Sequence, residues 1–168
     1  MTDIRLVQQG EYPRQTEVSV DWLLLRDGTL DINEALATAV IVALGTDRLA
    51  LRTDSLPDLD STDRRGWWGD FDAEVIWNGW PIGTRLWLIK RDKITGAGAQ
   101  QGSTLTKIER YIREAIQPFV DRRVASRYEV AVERVGRERI QALVRLYRGP
   151  ELAVDLRYQV LWADIIES

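Results

Sequence analysis

Asp70, Asp72 and Glu74 alternate along the chain, so an extended segment there would present three carboxylates on one face. Indole rings surround them: Trp67, Trp68, Trp77, Trp80 and Trp87 are five of the seven tryptophans. Glycoside hydrolysis needs two carboxylates at a set separation, one to protonate the leaving oxygen and one to act as base or nucleophile. Sugars also stack on indole, so a carbohydrate-active enzyme or a glycan-binding module is one reading. The plain alternative is a half-exposed strand carrying acids between aromatics. Nothing in the spacing shows a carboxyl buried deeply enough to hold its proton at neutral pH. The catalytic reading therefore stands second.

Other chemistry is narrowed by what is missing. The chain has no histidine and no cysteine. That removes imidazole bases, thiolate nucleophiles, disulfides and the usual zinc ligand sets. The acid-rich loop with Asp54, Asp58, Asp60 and Asp63 fails as a calcium loop starting at Asp58, because Asp63 stands where glycine is required and Gly69 where glutamate is. Gly96-Ala97-Gly98 and Gly102-Ser103-Thr104 precede a helix, but no Gly-Lys-Ser/Thr accompanies them, and they read as a linker. Lys107, Arg113, Arg122, Arg123 and Arg127 are interspersed with Glu109, Glu114 and Asp121 and lack interleaved stacking aromatics. No cofactor, metal or nucleic-acid partner is expected.

The elements that must position these residues follow from periodicity. At 168 residues, 45% hydrophobic and 29% charged, the chain suits one domain with a sizeable core. We divide it into an N-terminal arm, 1–19, and a single domain, 20–168. Net charge is −3, split into twelve acids and five bases over 1–63 and fourteen acids and eighteen bases over 64–168. The start is polar and unlike a signal peptide, and no apolar run nears the ~20 residues needed to span a bilayer, so no membrane association is expected.

Residues 18–25 read as a short strand ended by Arg26-Asp27-Gly28. Asp31 and Glu34 make a capping-box-like pair before a helix over 32–44, with Gly45 expected at C′. A second helix over 105–119 carries Ile108, Tyr111, Ile112, Ala115, Ile116 and Phe119 at a 3.6-residue period, with Thr106 and Glu109 as its capping box and Pro118 ending or kinking it. The period then switches to two in three runs: Tyr128, Val130, Val132; Ile140, Ala142, Val144, Leu146; and Leu152, Val154, Leu156, Tyr158, Val160, Trp162. The expected fold is α+β: an antiparallel sheet, made of a C-terminal three-strand meander with a further N-terminal strand, covered by two main helices. If the last run is an edge strand, its unpaired backbone groups can accept a strand from another chain.

Three segments together resemble a known family. They are the helix leading into Gly45-Thr46-Asp47-Arg48-Leu49-Ala50; Arg65-Gly66-Trp67-Trp68-Gly69-Asp70 with Gly83-Thr84-Arg85-Leu86-Trp87-Leu88; and the second helix leading through Asp121-Arg122-Arg123-Val124 into the sheet. The pattern is similar to that of the Mu-like contractile-phage baseplate wedge proteins, relatives of the T-even phage sheath-initiator protein. Thr84 replaces the family's serine. Asp121 and Arg123 would stand in for the Glu and Arg of the Glu-Pro-Arg junction found in the broader sheath-initiator group, with Arg122 in place of Pro. The resemblance implies a non-enzymatic virion component of the tail baseplate, assembled in the host cytoplasm. Its implied partners are other wedge proteins, the tail sheath protein, and central hub or tube proteins. It also implies a template for the first sheath ring, laid by strand addition. Arg85 is expected to pair with Asp70 or to stack on a tryptophan, and Asp121 to pair with Arg123. A cellular protein-binding adaptor on the same fold is a third reading.

Overall fold

The computed structural model describes residues 6–9, 19–22, 26–27, 35–58, 60–67, 72, 75, 78–79, 82–91, 103–135 and 139–161. The element order is β1 (Leu6–Gln9), β2 (Ser19–Trp22), α1 (Ala35–Gly45), a 3-10 helix (Leu86–Arg91), α2 (Ser103–Asp121), β3 (Arg127–Arg134), β4 (Arg139–Arg148) and β5 (Glu151–Leu161). The α+β architecture is the expected one. The N-terminal strand is present as β2, but it pairs with β1 in a separate two-stranded sheet, while β3, β4 and β5 form the meander in that order.

α1 is apolar nearly all round. The pull of Val40-Ile41-Val42 toward strand loses to a segment rich in alanine and leucine, the best helix formers. Val40, Ile41, Ala43 and Leu44 are buried while Val42 faces outward. Gly45 is the last helical residue rather than a left-handed cap, and the Thr46 N–H closes the final turn onto the Val42 carbonyl. Any turn at 31–34 lies outside the described residues.

α2 buries the stripe that its period marks: Ile108, Tyr111, Ile112, Ala115, Ile116 and Phe119. Each fully buried isoleucine contributes about 1.5–3 kcal/mol of apolar transfer. The helix begins at Ser103, so Thr106 lies inside its first turn and caps nothing, and Glu109 is engaged by Arg113 instead. Pro118 does not stop the helix, which continues to Asp121. Placed in the last turn, its missing N–H costs one bond, and its own carbonyl still accepts from Arg122.

α2 lies along β3, and the inward row of the meander, Val130, Ile140, Ala142, Val144, Leu146 and Val154, closes the core beneath it. Leu86, Leu88 and Ile89 of the 3-10 helix seal one end of this core. One irregularity interrupts the alternation. Leu146 pairs with Val154 but Tyr147 pairs with Leu152, so Ala153 is an extra residue and Leu152 is 50% exposed instead of joining the inward row.

Candidate functional site

The two signature segments that fall within the described residues meet the first in a clasp. Thr84 donates its N–H to the Thr46 carbonyl at 2.8 Å and accepts the Arg48 N–H at 2.8 Å, a one-residue parallel bridge centred on Asp47 and Thr84. Its hydroxyl donates to the Leu44 carbonyl and accepts from the Leu86 N–H, both at 3.4 Å, so it also caps the 3-10 helix. A serine would supply the same hydroxyl. Gly83, at φ 98°, allows this approach: a Cβ there would stand 2.5 Å from the Thr46 carbonyl oxygen.

Arg65 and Gly66 both adopt left-handed backbone, with φ of 52° and 109°. The turn is held by Asp63, whose carboxylate accepts the Arg65 N–H at 2.7 Å. The Arg65 guanidinium forms an ion pair with Asp47 and lies 4.9 Å from the centre of the Trp87 ring. Trp87 in turn donates its indole N–H to the Arg48 carbonyl at 2.9 Å. The cation over a tryptophan is thus Arg65, not Arg85. Within the acid-rich loop, Asp54 and Asp58 accept backbone N–H groups of Leu51 and Asp60, and Asp54 reaches beyond the loop as well.

Among the described residues Arg85 is the buried charged side chain. Its side chain is 8% exposed and donates to Asp54 at 2.7 Å and to Glu114 on α2, while its guanidinium lies 5.0 Å from the Tyr111 ring centre. Burial alone would lower its pKa, but the hydrogen bonds and charges of Glu114 and Asp54 outweigh that and hold it above the ordinary arginine value. Asp70, the partner expected from the motif, lies outside the described residues, as do Trp68 and Gly69. Glu114 and Asp54 are sequence-distant and belong to no motif, so only the fold could name them.

The helix-to-sheet junction is closed by other residues than expected. No Asp121–Arg123 ion pair forms. Asp121 accepts from the Gln117 amide at 2.7 Å, and Arg123, at φ 60°, is the left-handed residue that ends α2. Its N–H bonds the Val120 carbonyl at 2.9 Å. Two residues apart, Asp121 and Arg123 share no helix face, and the left-handed backbone at Arg123 ends the helix there. Ser126 makes the tie, giving both its N–H and its hydroxyl to the Tyr147 carbonyl at 2.7 and 2.9 Å, and Arg148 donates to the Val124 carbonyl at 3.2 Å.

That Ser126 contact also decides which way the backbone of the meander points. Tyr147 turns its carbonyl toward β3, so by alternation Leu146, Val144, Ala142 and Ile140 turn theirs toward β5. Their partners Val154, Leu156, Tyr158 and Val160 therefore spend their backbone groups on β4. Asp155, Arg157 and Gln159 turn theirs outward. Among the described residues no strand pairs with that edge. The side chains singled out in the last run thus supply the inward row at Val154 and Leu156, while the free backbone groups belong to the residues between. Trp162 lies outside the described residues.

The carboxylate reading gains no geometry. Asp72 and Val75 are both exposed and their backbone is helical, so the alternating strand that would align Asp70, Asp72 and Glu74 does not form at the described positions. Among the described residues no cluster of acids is placed to hold a metal ion.

A family model described as Phage protein GP46 matches residues 36–152, from α1 to the bulge at the start of β5. Baseplate protein gp46 of Escherichia phage Mu is 38% identical over 109 residues, 61% of this chain and 66% of that protein, so the chain spans just under two thirds of that relative. The stretch matched by the family model contains the clasp, the Arg85 centre and the helix-to-sheet junction.

Proposed function

The chain belongs to the phage protein GP46 family, and on that footing we propose that it is a non-enzymatic structural subunit of a contractile-tail baseplate. In this reading it joins wedge subunits and seeds the first ring of sheath, in the virion tail baseplate. Its partners are other wedge proteins and the sheath protein, with hub or tube proteins on the inner side. The observation that carries the finer part is the outer edge of β5, which no strand pairs among the described residues and where Asp155, Arg157 and Gln159 turn their N–H and C=O groups outward from a strand anchored to the core by its alternate residues. The clasp suits a scaffold: its paired charges and glycines are consumed in holding loops together.

Proline substitution separates the two edges of β5. Arg157→Pro removes an outward donor and leaves the β4 ladder whole, whereas Leu156→Pro breaks a ladder bond. Arg157→Pro should fold and yet leave particles without sheath. Normally sheathed particles built with folded Arg157→Pro protein would refute strand addition at this edge.

A further inference from the structure

The three-stranded sheet has two edges, and they are not alike. We propose that Arg113, held in place by Glu109, guards the β3 edge so that the sheet can be extended only at β5. The backbone alternation that frees Asp155 and Arg157 on one side frees Tyr128, Val130 and Val132 on the other. On that side the carbonyl of Val130 is already taken: Arg113 donates to it at 3.2 Å. The same guanidinium gives two further bonds to one Glu109 oxygen, at 2.8 and 2.7 Å, and lies 5.8 Å from the centre of the Tyr128 ring.

An incoming strand at β3 would have to displace this cation, leave Glu109 without its partner, and uncover Tyr128. Charged side chains placed over an edge are a standing defence against unwanted pairing. The hydrogen bond that Arg113 donates to Glu109 holds its pKa above the ordinary arginine value, and a guanidinium is charged at any working pH. At β5, among the described residues, no side chain bonds the outward backbone groups of Asp155 or Arg157. Its exposed neighbours Asp155 and Arg157 carry opposite charges, and Asp155 is occupied by Arg145 on the outer face, away from the edge. A strand that fits β5 would set apolar residues beside Val154 and Leu156 and polar ones beside Asp155 and Arg157.

The benefit of such a guard rests on the strand-addition reading, but its test does not. A scaffold with two open edges would also pair with copies of itself. In an Arg157→Pro background, which closes β5, sedimentation velocity should find a folded monomer at every concentration. Adding Arg113→Ala should raise the average mass toward twice the monomer value as concentration rises, and Arg113→Lys, which keeps a cation at the edge, should not. If Arg113→Ala does not fold, Glu109→Ala in the same background frees the guanidinium from its clamp and should give a smaller rise. Folded Arg113→Ala that stays monomeric throughout, or failing that a monomeric folded Glu109→Ala, overturns the guard. Loss of sheathed particles in Arg157→Pro together with monomeric Arg113→Ala would discard the guard and keep strand addition. Association of Arg113→Ala with normal sheathing of Arg157→Pro would do the reverse.

Discussion

Gly83 lies so close to Thr46 that a Cβ on it would stand 2.5 Å from the Thr46 carbonyl oxygen. The contact is backbone against backbone, and the parallel bridge through Thr84 depends on it. Gly83→Ala should therefore cost at least about 3 kcal/mol, from steric conflict added to a left-handed φ. Gly149, at φ 62° in the β4–β5 turn, has open space where a Cβ would sit. Gly149→Ala should cost only about 1–2 kcal/mol. Denaturant unfolding of both variants checks the ranking; equal losses would mean that the clasp is not a tight joint.

Arg85 ties the 51–66 loop to α2 through Asp54 and Glu114. Removing the shared cation leaves Asp54 without its ion pair and Glu114 with only the more distant Arg110, so Arg85→Ala should cost about 3 kcal/mol. Arg85→Lys should recover little, since an ammonium cannot reach two carboxylates and stack on Tyr111 at once. Combining Arg85→Met with Asp54→Asn and Glu114→Gln should restore part of the loss. Unfolding free energies of the three variants measure this, and a harmless Arg85→Ala would show the centre to be incidental.

Much of this was legible in the chain because periodicity is a local record of burial. α2 and the three strands of the meander stand where their 3.6- and 2-residue repeats put them. The signature segments meet in the clasp, but which of their residues touch was not readable from the motifs. What escaped was set by distance. Leu6–Gln9 has no alternating apolar row, and it is a strand only because β2 lies beside it. The phase slip at Ala153 is invisible because Leu152, Val154 and Leu156 alternate without a break in sequence, and only pairing with Tyr147 reveals it. The partners of Arg85 come from a loop and a helix that no motif joins. At the junction, the resemblance suggested an Asp121–Arg123 pair, but residues two apart share no helix face, and Asp121 bonds the Gln117 amide instead.

Glu129 sets a pH dependence. On the outer face it accepts from Arg127 and from the Tyr147 hydroxyl, and these hydrogen bonds, that of Arg127 first, hold its pKa below the ordinary glutamate value. A carboxyl depressed in the folded state stabilises the fold above its unfolded pKa and loses that contribution as pH falls through the folded value. The stability difference between wild type and Glu129→Gln should be full at neutral pH, shrink through the acid limb and vanish in strong acid. A difference independent of pH would contradict the assignment.

In the proposed function, β5 is an unfinished edge completed by another subunit. Hydrogen exchange of the β5 amides, compared between the isolated chain and the assembled baseplate, tests it most directly. The outward amides of Asp155 and Arg157 should exchange rapidly in isolation and become protected in the particle, while those of Val154 and Leu156 should be protected in both. Rapid exchange at Asp155 and Arg157 in the assembled particle would contradict it.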